Sequence, residues 1–277
     1  MRASAIAIAV LLVLSPCVAT AVAPTWQPPP GSTEMPLWPA GKVMVPPKLT
    51  GPEEVRDTVS KASGERWAML QNVAVPTLTV FPAKGGGNGA AVIWDPDCNC
   101  RDNPTVPMAL QDAQRAMGLL RAQAQRWNID PKRVGVIGFS AGGHVVAGLS
   151  THGARSYAAV DAADAQPSRP DFAMVMYSGH LWTGAENGLS LADDIAVDDA
   201  VPPTFIVQST DDPTDDVRES LTYYRALIDV GVPVEMHLFA RGGHAFGLRA
   251  KDAPVTAWPQ LAERWMQDIG MLPERQL

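Results

Sequence analysis

Apolar runs that end abruptly in turn-forming residues recur along this chain. Arg133-Val134-Gly135-Val136-Ile137 reads as a strand, Gly138-Phe139-Ser140-Ala141-Gly142 as a tight turn, and the apolar stretch that follows, through Leu149, as a helix. Residues 202–208 form a second buried strand, running into Ser209-Thr210-Asp211-Asp212-Pro213, and residues 234–239 a third, delivering Arg241-Gly242-Gly243-His244. Upstream, residues 77–81 and 90–94 read as two strands joined by the glycine-rich segment 84–89. A helix from about residue 105 to 127 can then cross over to the strand before Ser140 as a right-handed βαβ unit. Strands alternating with helices predict an α/β fold, with a mostly parallel sheet covered on both faces.

The punctuation residues carry the candidate chemistry. Glycines flanking Ser140 let strand and helix approach closely enough to hold the serine in a strained conformation, exposed as a nucleophile. Ala141 would offer a backbone N–H at the start of the following helix, where free donors and the helix dipole favour a developing oxyanion. In hydrolases built on this turn the acid and the histidine follow the serine in the chain. His244 sits in a glycine-rich loop that could place its imidazole over Ser140. His144 and His152 lie on or just after the helix, His180 in a loop and His237 in mid-strand, where structural roles suffice. Four aspartates compete as the acid. Asp212 is preferred because it directly precedes the proline that stops the strand, while Asp215 and Asp216 read as first-turn acids of the next helix.

The stretches Asp112-Ala113-Gln114-Arg115-Ala116, Gly138 to His144, residues 202–205 with Asp211-Asp212-Pro213, and Gly242 to Arg249 resemble secreted α/β-hydrolase esterases of the acetylxylan and feruloyl esterase type. The resemblance covers most of residues 70–270. It implies Ser140 as nucleophile, Asp212 as acid and His244 as base, with Trp258 beginning the last helix. Ala245 replaces a commoner glycine, a change expected to matter little. Relatives carry a Pro-Gly-Gly-Gly or His-Gly-Gly-Gly loop, a helix and a further strand before the segment resembling residues 112–116. This chain has only Asp95 to Pro104 there. A helix-strand unit of about 40 residues is therefore expected to be missing, and with it the second oxyanion donor, which leaves activity weakened. The two upstream strands must then pair directly as a hairpin or leave a gap.

Composition adds boundaries. The 277 residues are 46% hydrophobic and 18% charged, enough for one sizeable core, and the net charge of −7 without a basic run argues against a nucleic-acid partner. Residues 1–21 read as a secretory signal, implying a secreted or periplasmic location. Residues 22–50 read as a Pro/Gly-rich N-terminal arm, packed on the domain or partly disordered, in which Trp26 or Trp38 could alternatively contact carbohydrate. Residues 51–277 read as the catalytic domain. No other run is long enough to span a bilayer. Cys98 and Cys100 are too close for a relaxed disulfide and too few for a closed zinc centre, so neither metal nor cofactor is expected. The sequence therefore predicts a serine esterase acting on acetyl or other small acyl groups of a plant-polysaccharide fragment. A serine peptidase of similar fold and a catalytically degenerate binding protein are the alternatives. The sequence sets no oligomeric state.

Overall fold

The computed structural model describes residues 27–42, 51–59, 64, 66–83, 87–95, 107–184, 188–249 and 252–273. Strand β1 (Thr33–Pro36) is followed by β2 (Glu54–Val59), β3 (Arg66–Gln71), β4 (Thr77–Val80) and β5 (Ala91–Asp95). Next come helices α1 (Pro107–Ala122) and α2 (Ala124–Trp127), strand β6 (Val134–Phe139), helix α3 (Ala141–Thr151) and strand β7 (Phe172–Met176). The chain closes with β8 (Thr204–Ser209), α4 (Val217–Asp229), β9 (Val234–Phe239) and α5 (Trp258–Asp268). Strands β5 to β9 form one sheet in sequence order, parallel throughout.

Every residue of β6, β7 and β8 is buried, as expected of a parallel sheet covered on both faces. The period-two alternation of side chains sorts them into two cores. Val134, Val136, Ala173, Val175 and Ile206 point into one, with Met117 of α1, Val146 of α3 and Leu227 of α4. Phe139, Phe172, Met174, Phe205 and Val207 point into the other, against Trp258 and Trp265 of α5. Gly135 is required by this second layer, since a Cβ there would lie 2.2 Å from the Phe172 ring.

Strands β4 and β5 do not form the hairpin that was one of the two sequence expectations. Strand β4 pairs antiparallel with β1, and β5 pairs with β6. On its other side β5 has no strand among the described residues. A separate antiparallel hairpin joins β2 and β3. After β1, Leu37 and Trp38 enter the first core. The indole N–H of Trp38 donates to Asp112 at 2.6 Å, and its ring meets Tyr157 edge to face at 4.8 Å. This burial removes Trp38 from any surface contact with carbohydrate. Arg115 donates to the Leu37 carbonyl and to both Asp161 and Asp164. The Asp112-Ala113-Gln114-Arg115-Ala116 stretch is thus the anchor of the N-terminal segment. The leader expected over residues 1–21, Trp26, Cys98, Cys100 and the segment after Asp95 lie outside the described residues.

Candidate active site

The turn between β6 and α3 holds Ser140 at φ 54° and ψ −124°, in the left-handed range that costs an L-residue free energy. Its neighbours enforce this. A Cβ on Gly138 would lie 2.1 Å from the Gly142 carbonyl oxygen, and one on Gly143 would lie 2.7 Å from the Ser178 Cβ. The Ser140 N–H donates to the Met176 carbonyl at 3.0 Å, tying the turn to the end of β7. Ala141 is the first residue of α3, so its N–H belongs to the first turn, whose donors have no acceptor within the helix.

Ser140, Asp212 and His244 come together at the carboxyl ends of β6, β8 and β9. The Ser140 hydroxyl lies 3.0 Å from Nε2 of His244, to which it can donate. On the ring's far side Nδ1–H donates to Oδ2 of Asp212 at 2.8 Å. The Asp212 carboxylate is fully buried. His244 is 6% exposed, and its ring meets that of Tyr177 edge to face at 5.0 Å.

The histidine loop is held by three further contacts. Oδ1 of Asp211 accepts the N–H groups of both Gly242 (2.9 Å) and Gly243 (2.8 Å), and the Ser209 hydroxyl donates to the Gly243 carbonyl at 2.6 Å. The Gly243 N–H is the main cause holding the Asp211 carboxyl below its ordinary pKa. Ala245 stands at φ 56°, so the residue that replaces a commoner glycine occupies the region where glycine is favoured. The expectation that this change matters little is therefore corrected: a Cβ is strained there.

Asp215 also departs from its sequence reading. It is not in the first turn of α4, whose N-cap is Asp216, accepting from the Arg218 N–H. Oδ1 of Asp212 accepts from the N–H groups of Thr214 and Asp215 at 2.8 and 3.1 Å. That turn directs Asp215 back toward the serine. Its Oδ2 lies 3.4 Å from the Ser140 Oγ and 3.7 Å from Nδ1 of His244. Burial raises its pKa, against the opposing pull of His244. The remaining histidines have other partners or positions. His144 pairs with Asp194 at 2.9 Å, burial being the first cause of its lowered pKa. His152 bonds the Gly148 carbonyl and His237 pairs with Glu235, while His180 is exposed in a loop. Among the described residues no group of three or more His, Cys, Asp or Glu side chains could hold a metal ion, and no helix is long and apolar enough to cross a membrane.

A five-stranded parallel sheet, helices on both faces and a strand-serine-helix turn define the α/β-hydrolase fold, and solved structures bear this out. The chain superimposes on the acetyl ester-xyloside bifunctional hydrolase of Caldicellulosiruptor lactoaceticus with a TM-score of 0.62 and 24% identity, over 87% of this chain and 97% of that one. The family model described as BD-FAE matches residues 89–176. Among curated proteins, an acetylxylan esterase of Xylanibacter ruminicola is 26% identical over 60% of this chain and 35% of its own length. An endo-1,4-beta-xylanase B of Butyrivibrio fibrisolvens is 29% identical over 56% of this chain and 27% of its own. The match thus spans about a third of the first relative's length and about a quarter of the second's.

Proposed function

We propose that the protein is a serine carboxylic ester hydrolase that removes acetyl or other small acyl groups from a plant-polysaccharide fragment. The alignment of Ser140, His244 and Asp212 carries this reading, and the names of the acetylxylan esterase and acetyl ester-xyloside hydrolase relatives support its substrate class. The Ser140 oxygen attacks the acyl carbon while its proton passes to Nε2 of His244. Charge on the former carbonyl oxygen is met by the Ala141 N–H at the positive end of α3. The tetrahedral adduct collapses, the C–O bond to the alcohol breaks, and Nε2–H gives its proton to the departing oxygen. Water then attacks the acyl-serine with His244 as base, releasing a carboxylic acid and restoring the hydroxyl. Asp212 keeps the Nδ1–H tautomer and stabilises the imidazolium. Residues 1–21 support an exported location.

Hydrolysis of p-nitrophenyl acetate by the purified protein, beside Ser140→Ala, tests the reading. Turnover lost on substitution supports it. Turnover equal in both proteins, or absent from both, rejects it, and cleavage of a peptide amide in preference to the ester would favour a peptidase. The shortened segment from Asp95 to Pro104 supports slow turnover, because removal of one oxyanion donor costs about 2.7–4 kcal/mol of transition-state stabilisation.

A further inference from the structure

We propose that Asp215 is a specificity residue whose carboxylate accepts a hydrogen bond from a free hydroxyl on the carbon next to the ester-bearing carbon, so that the site prefers esters of vicinal diols over simple alkyl esters. This rests on the ester-hydrolase reading and names the alcohol half of its substrate.

Gly179 leaves room for this acid, since a Cβ there would lie 2.5 Å from Oδ1 of Asp215 and push the carboxylate from its present position. The Asp215 backbone is pinned on both sides, its N–H to Asp212 at 3.1 Å and its carbonyl to Nε2 of Gln208 at 2.9 Å. The side chain keeps 16% exposure, and its Oδ2 faces the serine. Oδ2 of Asp215 lies 3.4 Å from the Ser140 Oγ, whose single hydrogen is committed to Nε2 of His244 at 3.0 Å in the reactive arrangement. A carboxylate can accept several hydrogen bonds, and Oδ2 then receives none from the serine, before or during attack. A partly buried carboxylate short of a donor is costly. The alcohol oxygen sits on the same tetrahedral carbon as Oγ, and a hydroxyl on the neighbouring carbon lies within one hydrogen-bond length of that oxygen. Such a hydroxyl supplies the donor that Ser140 does not, and the gain, carried into the transition state, raises kcat/KM.

The test compares kcat/KM for trans-2-hydroxycyclohexyl acetate and cyclohexyl acetate, which share the acyl group and ring and differ by one hydroxyl. Each ratio is divided by the ratio for hydroxide-catalysed hydrolysis. The wild-type protein is expected to favour the hydroxy ester by about tenfold or more. Asp215→Ala should bring the ratio to about one, and Asp215→Asn, which keeps an acceptor oxygen, should retain part of it. Because both rates are read on the same folded molecules, partial misfolding of a variant leaves the ratio intact. A structural role for Asp215 would lower both rates together. A wild-type ratio near one, or the same ratio in wild type and Asp215→Ala, overturns the proposal and leaves the ester-hydrolase reading standing. Failure of the wild-type protein to cleave either ester rejects both.

Discussion

Trp38 and Asp112, 74 positions apart, share a hydrogen bond of 2.6 Å that fastens the N-terminal segment to the first turns of α1. Burial raises the Asp112 carboxyl from its ordinary 3.8 to about 6, with the indole N–H only partly opposing it. The folded chain therefore favours the neutral acid. The stabilisation of the neutral form is fully present below pH 3.8 and is lost as pH rises through about 6. Asp112→Asn accepts the same bond without a charge. Its stability relative to wild type should grow between pH 4 and 6 by up to about 3 kcal/mol and then level off. Urea unfolding across that range checks this, and a pH-independent difference would contradict it.

Asp212 and Asp215 should not be equivalent. Asp212 holds the histidine tautomer directly and caps the turn that places its neighbour. Asp212→Asn is expected to lower kcat on a simple acetate ester by on the order of 10³–10⁴. Asp215→Asn, which leaves the Nδ1 partner in place, should cost about tenfold or less. Equal losses, or the reverse order, would show that the acid has been misassigned.

Asp211 acts through the loop that carries His244. Asp211→Ala removes the acceptor of two backbone N–H groups, and the loosened imidazole should lower kcat by about tenfold with little change in KM. In Asp211→Asn the Oδ1 acceptor survives and most of the activity should return. If Asn were as damaging as Ala, the charge rather than the hydrogen bonds would be the contribution of this residue.

Ala245→Gly should stabilise the protein. Relief of the left-handed strain at φ 56° is worth about 1–2 kcal/mol, offset by the extra chain entropy of glycine at about 0.5–1 kcal/mol. The net gain of about 1 kcal/mol corresponds to a rise in Tm of about 2–4 °C, readable by calorimetry. A fall in Tm would show that the methyl group makes a compensating contact.

The strands that lead into Ser140, Asp212 and His244 were legible because their signals are local. Residues 134–139, 204–209 and 234–239 are apolar runs ended by Gly, Asp or Gly-rich turns, and each lies where β6, β8 and β9 were expected. Strand β7 escaped notice although every residue of it is buried. Its five residues follow a loop rich in Pro and Ser and carry no motif. Strand β1 owes its form to a partner more than 40 positions away, Thr33 opposite Val80, and no pattern within Thr33–Pro36 announces that. Asp215 was misread for a physical reason. Beside Asp216 it looks like an ordinary acid before a helix, and only the turn capped by Asp212 aims it at Ser140. The place of the N-terminal segment was equally hidden, since proline and isolated tryptophans give no period, whereas burial of Trp38 depends on Tyr157 and Asp112.

In the order β5-β6-β7-β8-β9, Ser140, Asp212 and His244 follow the second, fourth and fifth strands. Neighbouring strands lie about 4.8 Å apart, so the strands bearing Ser140 and His244 are separated by about 14 Å, yet Oγ and Nε2 stand 3.0 Å from each other. The histidine loop spans that width from the outer strand β9, and the serine turn is one strand in from β5 at the opposite margin. Margins open before centres. The approach of Oγ and Nε2 therefore depends on the outer strand β9, while the fully buried strands β6, β7 and β8 govern whether the chain stays folded. Heating should extinguish catalysis while the spectroscopic signature of the central strands persists, making turnover the more sensitive thermometer of this fold.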